Sequence, residues 1–139
     1  MRLRERNPYP ARVPGRCGAA VTTAAPAPSG RDLPHPACEQ IRLESVLHAL
    51  SDPMRLQVVR ELAADGGELS CSHFVLPVTK STTTHHFRVL RESGVIRQVY
   101  RGTAKMNGLR ADDLEALFPG LLGRVLEAAA RQSDRLGGR

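Results

Sequence analysis

TKSTTTHHFRVLRESG, residues 79–94, is where the chain declares its purpose. Four threonines, a serine and two histidines crowd its front, and Phe87, Val89 and Leu90 follow. Stepping about 100° per residue along a helix from Lys80, Ser81, Thr84, His85, Arg88 and Glu92 gather on one arc. Thr83, His86, Phe87 and Leu90 occupy the opposite arc. One face is thus built for a core and the other for an outside partner. A catalytic site, a metal site and a surface that lies against an anion are the three candidate readings. The short hydroxyls near the start let a backbone approach closely, while His85 and Arg88 reach further out. Lys80 and the helix N-terminus add positive potential suited to phosphate oxygens. A helix over 80–93 spans roughly 21 Å, and a DNA major groove about 12 Å wide admits it. His86 is expected as a hydrogen-bonded inner residue and Thr83 as part of the core.

The flanking segments supply a frame for that helix. Upstream, SDPMRLQVVRELAADGG (51–67) carries clear punctuation, with Asp52 as N-cap, Pro53 at the first helical position and Gly66-Gly67 as the stop. Leu56, Val59, Leu62 and Ala63 form its expected buried stripe. LSCSHFVLP (69–77) reads as a short helix from Ser70, ended by Pro77, and EQIRLESVLHALS (39–51) as the first helix, with Ile41, Val46, Leu47 and Leu50 on its apolar side. Downstream, Gly94 ends the reading helix. VIRQVYRGTAKMNGLR (95–110) then alternates apolar and polar around Arg101-Gly102-Thr103, the pattern of a two-stranded hairpin with a basic tip. The last segment, ADDLEALFPGLLGRVLEAAARQ (111–132), spaces apolar residues at threes and fours, and Pro119 is expected to restart the helix at a new angle.

Helix, turn, helix and hairpin in this order make a mainly α (α+β) winged helix-turn-helix, with about five helices and a two-stranded β-hairpin wing. Residues 80–105 hold six basic side chains (Lys80, Arg88, Arg91, Arg97, Arg101, Lys105) against one acidic, Glu92, a net of +5 within a chain of net +6. The charge therefore sits on the reading helix and wing. The expected DNA-binding residues are Lys80, Ser81, Thr82, Thr84, His85 and Arg88 on the helix, with Arg101 and Lys105 on the wing. The helix would enter the major groove while the wing follows flanking phosphates.

Composition sets the bounds. The 139 residues allow one ordinary domain, and with no Trp, two Tyr and three Phe any core must be aliphatic. A pI near 10 favours a polyanionic partner. No apolar run is long enough to span a membrane, the N-terminus lacks the apolar stretch of a secretion signal, and three cysteines at irregular spacing suit reduced thiols in the cytoplasm. Residues 1–37 contain seven of the ten prolines and six arginines, and read as a flexible tail that buries too little to offset its ordering entropy. The domain is expected over 38–133, with a flexible end at 134–139.

Two stretches carry a family pattern. ALSDPMRLQVVRELA (49–63) and HHFRVLRESGVI (85–96), followed by the hairpin, resemble the ArsR/SmtB winged-helix repressors, whose usual forms are LxDPxRLxIL and SHHLxxLxxAGLV. The match covers about residues 40 to 130 in the right order. The resemblance implies a homodimeric repressor of double-stranded DNA, paired through its first and last helices. That fits the apolar surplus on 41–50 and 114–129, which one small protomer could not bury. It places DNA contacts on Lys80, Ser81, Thr84 and His85 and the wing on 97–105.

The sensing chemistry departs from the family. Arsenic-sensing members carry CVC after EL; here ELSCSHF (68–74) puts Ser70 and Ser72 at the two cysteine positions, with Cys71 turned about 100° away. A site made of Cys71, His73, Cys38 and His35 would have to recruit the tail, and the expected state of Cys71 is a buried small hydrophobe. Residues 112–133 hold no His, so the family's last-helix metal site is absent, and no cofactor or metal is expected. An enzyme is not expected either, because the paired histidines have no nearby carboxylate but Glu92 and no phosphate loop, HExxH or GxSxG occurs. Two alternatives stand beside the repressor: a protein-interaction winged helix without specific DNA binding, and a metal- or thiol-responsive regulator using Cys71 and His73.

Overall fold

A computed structural model describes residues 33–137. The expected tail therefore lies outside the described residues for positions 1–32, as do 138–139 of the expected C-terminal end. The elements run α1 (Leu43–Leu50), α2 (Pro53–Asp65), β1 (Leu69–Ser70), α3 (Lys80–Glu92), β2 (Ile96–Arg101), β3 (Ala104–Leu109), α4 (Ala111–Leu117) and α5 (Leu121–Arg135). This is a winged helix-turn-helix. The core is aliphatic, with Val46, Ala49, Val58, Val59, Leu62, Leu90, Val95, Ile96 and Leu114 among the most buried side chains, and Phe74 and Phe87 packed ring to ring at 5.4 Å.

Punctuation in α2 works as its residues dictate. The Asp52 carboxylate accepts from the Met54 and Arg55 N–H groups at 2.8 and 3.1 Å, Pro53 opens the helix, and Gly66 closes it at φ 77°. The buried stripe differs in two of its four members: Arg55, Val58, Val59 and Leu62 are buried, while Leu56 and Ala63 are only half-buried.

The first helix is shorter than its pattern implies. A 3-10 turn at Cys38–Gln40 and an extended Ile41 precede α1. Ile41 is buried not as part of a helical stripe but against the bend at Gly94, where an added Cβ would lie 2.5 Å from Ile41 Cγ1. Leu47, expected inside, is 47 % exposed.

The segment expected as a third helix forms only a single 3-10 turn, Cys71–His73. Backbone pairing competes with it: Leu69 and Ser70 pair with Asn107 and Met106, so a third strand joins the hairpin in the order β1-β3-β2. Phe74 then fills the core from an extended backbone. Within the hairpin, Ile96 pairs with Leu109 and Arg101 with Ala104, around a two-residue loop in which Gly102 has φ 64°. A left-handed Gly there is what a tight hairpin requires.

The last segment breaks into two helices at Phe118-Pro119-Gly120, with Gly120 at φ 79° and its N–H donating to Glu115 at 3.1 Å. Helix α5 then runs to Arg135, past the expected domain end at 133. Contacts also begin earlier than Cys38: His35 and Pro36 are both bonded to the domain.

Candidate nucleic-acid interface

Helix α3 is held at both ends and along one side. Thr79 caps its start, accepting from the Thr82 N–H at 3.2 Å and donating its hydroxyl to Thr82 Oγ1 at 2.9 Å. Thr83 and Thr84 hydroxyls donate back to the carbonyls of Thr79 and Lys80. Thr83 is half-buried rather than core. On the inner side Phe87 and Leu90 enter the core, and His86 is 7 % exposed. Its Nδ1 lies 3.2 Å from Arg55 Nη1 and so accepts from the guanidinium, leaving the ring proton on Nε2. Burial works against the Asp52 carboxylate, 4.0 Å from the same nitrogen, but the bonds from Arg55 and Met54 N–H still hold it below the usual carboxylate range.

The outer side presents what the helical wheel implies. Lys80, Ser81, Thr84, His85 and Arg88 are exposed and Thr82 is half-exposed, so six of the eight expected contact residues share one helix face and tip. Arg88 donates from Nε to Glu92 at 2.9 Å, one turn along. That bond keeps the Glu92 carboxyl below its ordinary range and raises the guanidinium. The remaining two expected residues lie on the hairpin. Lys105 sits with Nζ 5.5 Å from the centre of the Tyr100 ring, and Arg101 is paired with Glu68.

One member of the basic window is not on the surface. Arg91 is 9 % exposed and its Nη1 donates to Gln98 Oε1 at 2.8 Å, while its Nε has no hydrogen-bond partner. From there a chain of amides crosses the sheet. Gln98 Nε2 donates to Asn107 Oδ1 at 2.7 Å, and Asn107 Nδ2 reaches the Leu69 carbonyl and Cys71 Sγ, both at 3.2 Å. Sequence reasoning did not single out this network, nor Arg55. The signal was present in strand parity, since Gln98 is in phase with the buried Ile96.

The proposed thiol and imidazole ligands do not converge. His35 has both ring nitrogens occupied: Nδ1–H donates to the Leu33 carbonyl at 2.8 Å and Nε2 accepts from the Gln98 N–H at 2.9 Å. His73 is exposed and stacks edge-on against Phe74. Cys71 is a free, half-buried thiol turned toward the amides, more polar in its surroundings than a small hydrophobe needs. Ser70 and Ser72 do face each other, with hydroxyls 2.9 Å apart, but hydroxyls are poor donors to a soft metal. Among the described residues, no three His, Cys, Asp or Glu side chains are grouped to hold a metal ion. Nor is any described helix long and apolar enough to cross a membrane.

No family model matches the chain. Among solved structures, an ArsR family transcriptional regulator is similar with a TM-score of 0.48 at 21 % identity, over 70 % of this chain and 92 % of that one. The uncharacterized HTH-type transcriptional regulator YceK of Bacillus subtilis (strain 168) is 36 % identical over 86 residues, which span 60 % of this chain and 85 % of the relative. With that identity across most of the relative's length, the chain belongs to the helix-turn-helix transcriptional regulators, a family of regulators rather than enzymes.

Proposed function

We propose that the protein is a sequence-specific, double-stranded-DNA-binding repressor of the ArsR/SmtB type, acting in the cytoplasm as a homodimer. Helix α3 reads base edges in the major groove, with Ser81, Thr82, Thr84 and His85 toward the bases and Lys80 and Arg88 toward phosphates. The hairpin lies along flanking DNA through Lys105, and Arg101 joins that contact when its pair with Glu68 opens. One observation carries the reading: the exposed side of α3 holds small hydroxyls and cations, while its inner side is locked into the domain by His86, Phe87 and Leu90. An ordinary surface helix needs no such capped, hydroxyl-lined tip.

Dimerisation completes the interface. Leu43 and Leu47 are 43 % and 47 % exposed on α1, and Leu121, Val125 and Leu126 are only half-buried on α5. A two-fold pairing of α1 and α5 with their copies covers these side chains and sets two α3 helices for successive turns of a duplex.

Fluorescence titrations of a duplex selected from a random library, at several salt concentrations, test the reading. Affinity should fall steeply with salt and exceed that for random duplexes by at least about a thousandfold. Equal, salt-independent binding to all duplexes would leave only a protein-interaction module.

A further inference from the structure

The outermost arginine of the wing is exposed but engaged by a carboxylate. From the end of β2, Arg101 donates Nε and Nη2 to the two carboxylate oxygens of Glu68, at 2.6 and 2.7 Å. Glu68 immediately precedes β1, and the pairing of Leu69 with Asn107 sets it level with Gly108 and Arg97, at the end of β2 far from the loop. Its Cγ lies 3.5 Å from where a Cβ on Gly108 would stand, so the side chain rests on the sheet over that glycine. Residues 97, 99 and 101 share a sheet face. Arg101 therefore folds back along the strand, away from the hairpin tip.

The consequence for charge is direct. The bonds from Arg101 hold the Glu68 carboxyl below its ordinary range, so it is ionised and cancels the guanidinium. What remains at the tip is Gly102, Thr103 and Ala104, followed by Lys105 over the Tyr100 ring. A carboxylate offers a guanidinium the same two-oxygen fork that a phosphate does.

We propose that Glu68 is an internal substitute for a DNA phosphate, a positioning residue that holds Arg101 off the duplex and limits the grip of the wing. This rests on the DNA-binding reading above and adds to it a built-in restraint. The Arg101 side chain is 65 % exposed and that of Glu68 33 %, so the pair opens at small cost. Neutralising Glu68 frees a cation at the point where the hairpin meets DNA.

Glu68→Gln, Arg101→Gln and the double variant, titrated with the selected duplex across a salt series, provide the test. Glu68→Gln should bind about two- to fivefold tighter at low salt. Its plot of log affinity against log salt should steepen by about 0.9 per protomer, the signature of one more neutralised phosphate. Arg101→Gln should change the wild-type slope little, and the double variant should match Arg101→Gln. Equal affinity and slope in Glu68→Gln, or weaker binding, would overturn the proposal, since weaker binding means that Glu68 aims Arg101 at DNA. Glu68→Ala repeats the measurement if the glutamine variant folds poorly, with unfolding midpoints as the control. Absence of salt-dependent binding by every form, wild type included, would instead overturn the DNA-binding reading beneath it.

Discussion

Arg55 Nη1 lies 3.2 Å from His86 Nδ1, and the two buried side chains join α2 to the inner face of α3. The same guanidinium donates from Nε to the Ala49 carbonyl at 2.8 Å and from Nη2 to the His48 carbonyl at 3.1 Å. One side chain thus closes the C-terminal end of α1 and orients α3. Arg55→Met should cost roughly 2–4 kcal/mol, because it strands two helix-end carbonyls and a buried imidazole nitrogen. Urea denaturation measures this. A variant of wild-type stability would show that Arg55 is dispensable to the frame.

Gly94 offers a second stability test. Its φ of 85° disfavours any L side chain, and an added Cβ would meet Ile41 Cγ1 at 2.5 Å and Cδ1 at 2.6 Å. Gly94→Ala should destabilise by about 2–4 kcal/mol, combining backbone strain with overpacking. Ile41→Ala in the same background should recover part of that loss in a denaturation cycle, because it removes the opposing atoms.

Leu43 and Leu47 are the sharpest test of dimerisation. Introducing Glu at both positions should leave the fold intact, since neither is part of the core. The dimer should weaken on the order of a hundredfold or more, as buried charges replace apolar contacts. Sedimentation velocity reads the change, and an unaltered dimer would place the two-fold contact elsewhere.

His35 predicts a pH dependence with a definite sign. Burial lowers its pKa most; the Leu33 carbonyl opposes this, and the charges of Arg110, Arg91 and Arg97 lower it further. The folded state therefore holds the neutral ring, as its acceptor role toward the Gln98 N–H demands. Between the depressed folded value and the unfolded value near 6.5 the unfolded chain binds more protons, so stability falls with acidity there. The contribution is full above pH about 6.5 and is lost as pH drops through the folded value. The protection factor of the Gln98 amide, its exchange relative to an unstructured peptide at the same pH, should fall on acidification, and His35→Ala should remove that pH dependence.

Base preference separates the hydroxyl face from the lysine. Ser81→Ala or His85→Ala should shift the selected sequence, with discrimination at one position changing by about 1–3 kcal/mol. Lys80→Ala should weaken all duplexes alike. Competition titrations against single-base variants distinguish the two patterns.

The parts of the molecule governed by local rules were readable from the residues. Asp52-Pro53, Gly66, the two faces of α3 and the Gly102 hairpin each follow from short-range geometry. Long-range competition hid the remainder. Leu69 and Ser70 left a helical pattern because β3 offered a strand partner, and Ile41 left one to pack against the bend at Gly94. Of the expected contact residues, the six on α3 share a surface, whereas Arg101 is paired with a carboxylate from a distant loop. Arg91 counted toward surface charge in the sequence, yet its position on the wheel faces a polar seam that only the folded sheet creates.

That seam ties α3, β2, β3 and β1 into one stiff unit, through Arg91, Gln98, Asn107 and the Leu69 carbonyl. A helix and hairpin so coupled cannot adjust to DNA independently of each other. In the proposed dimer on DNA, accommodation to the spacing or curvature of an operator would fall to the joint between protomers or to the duplex itself.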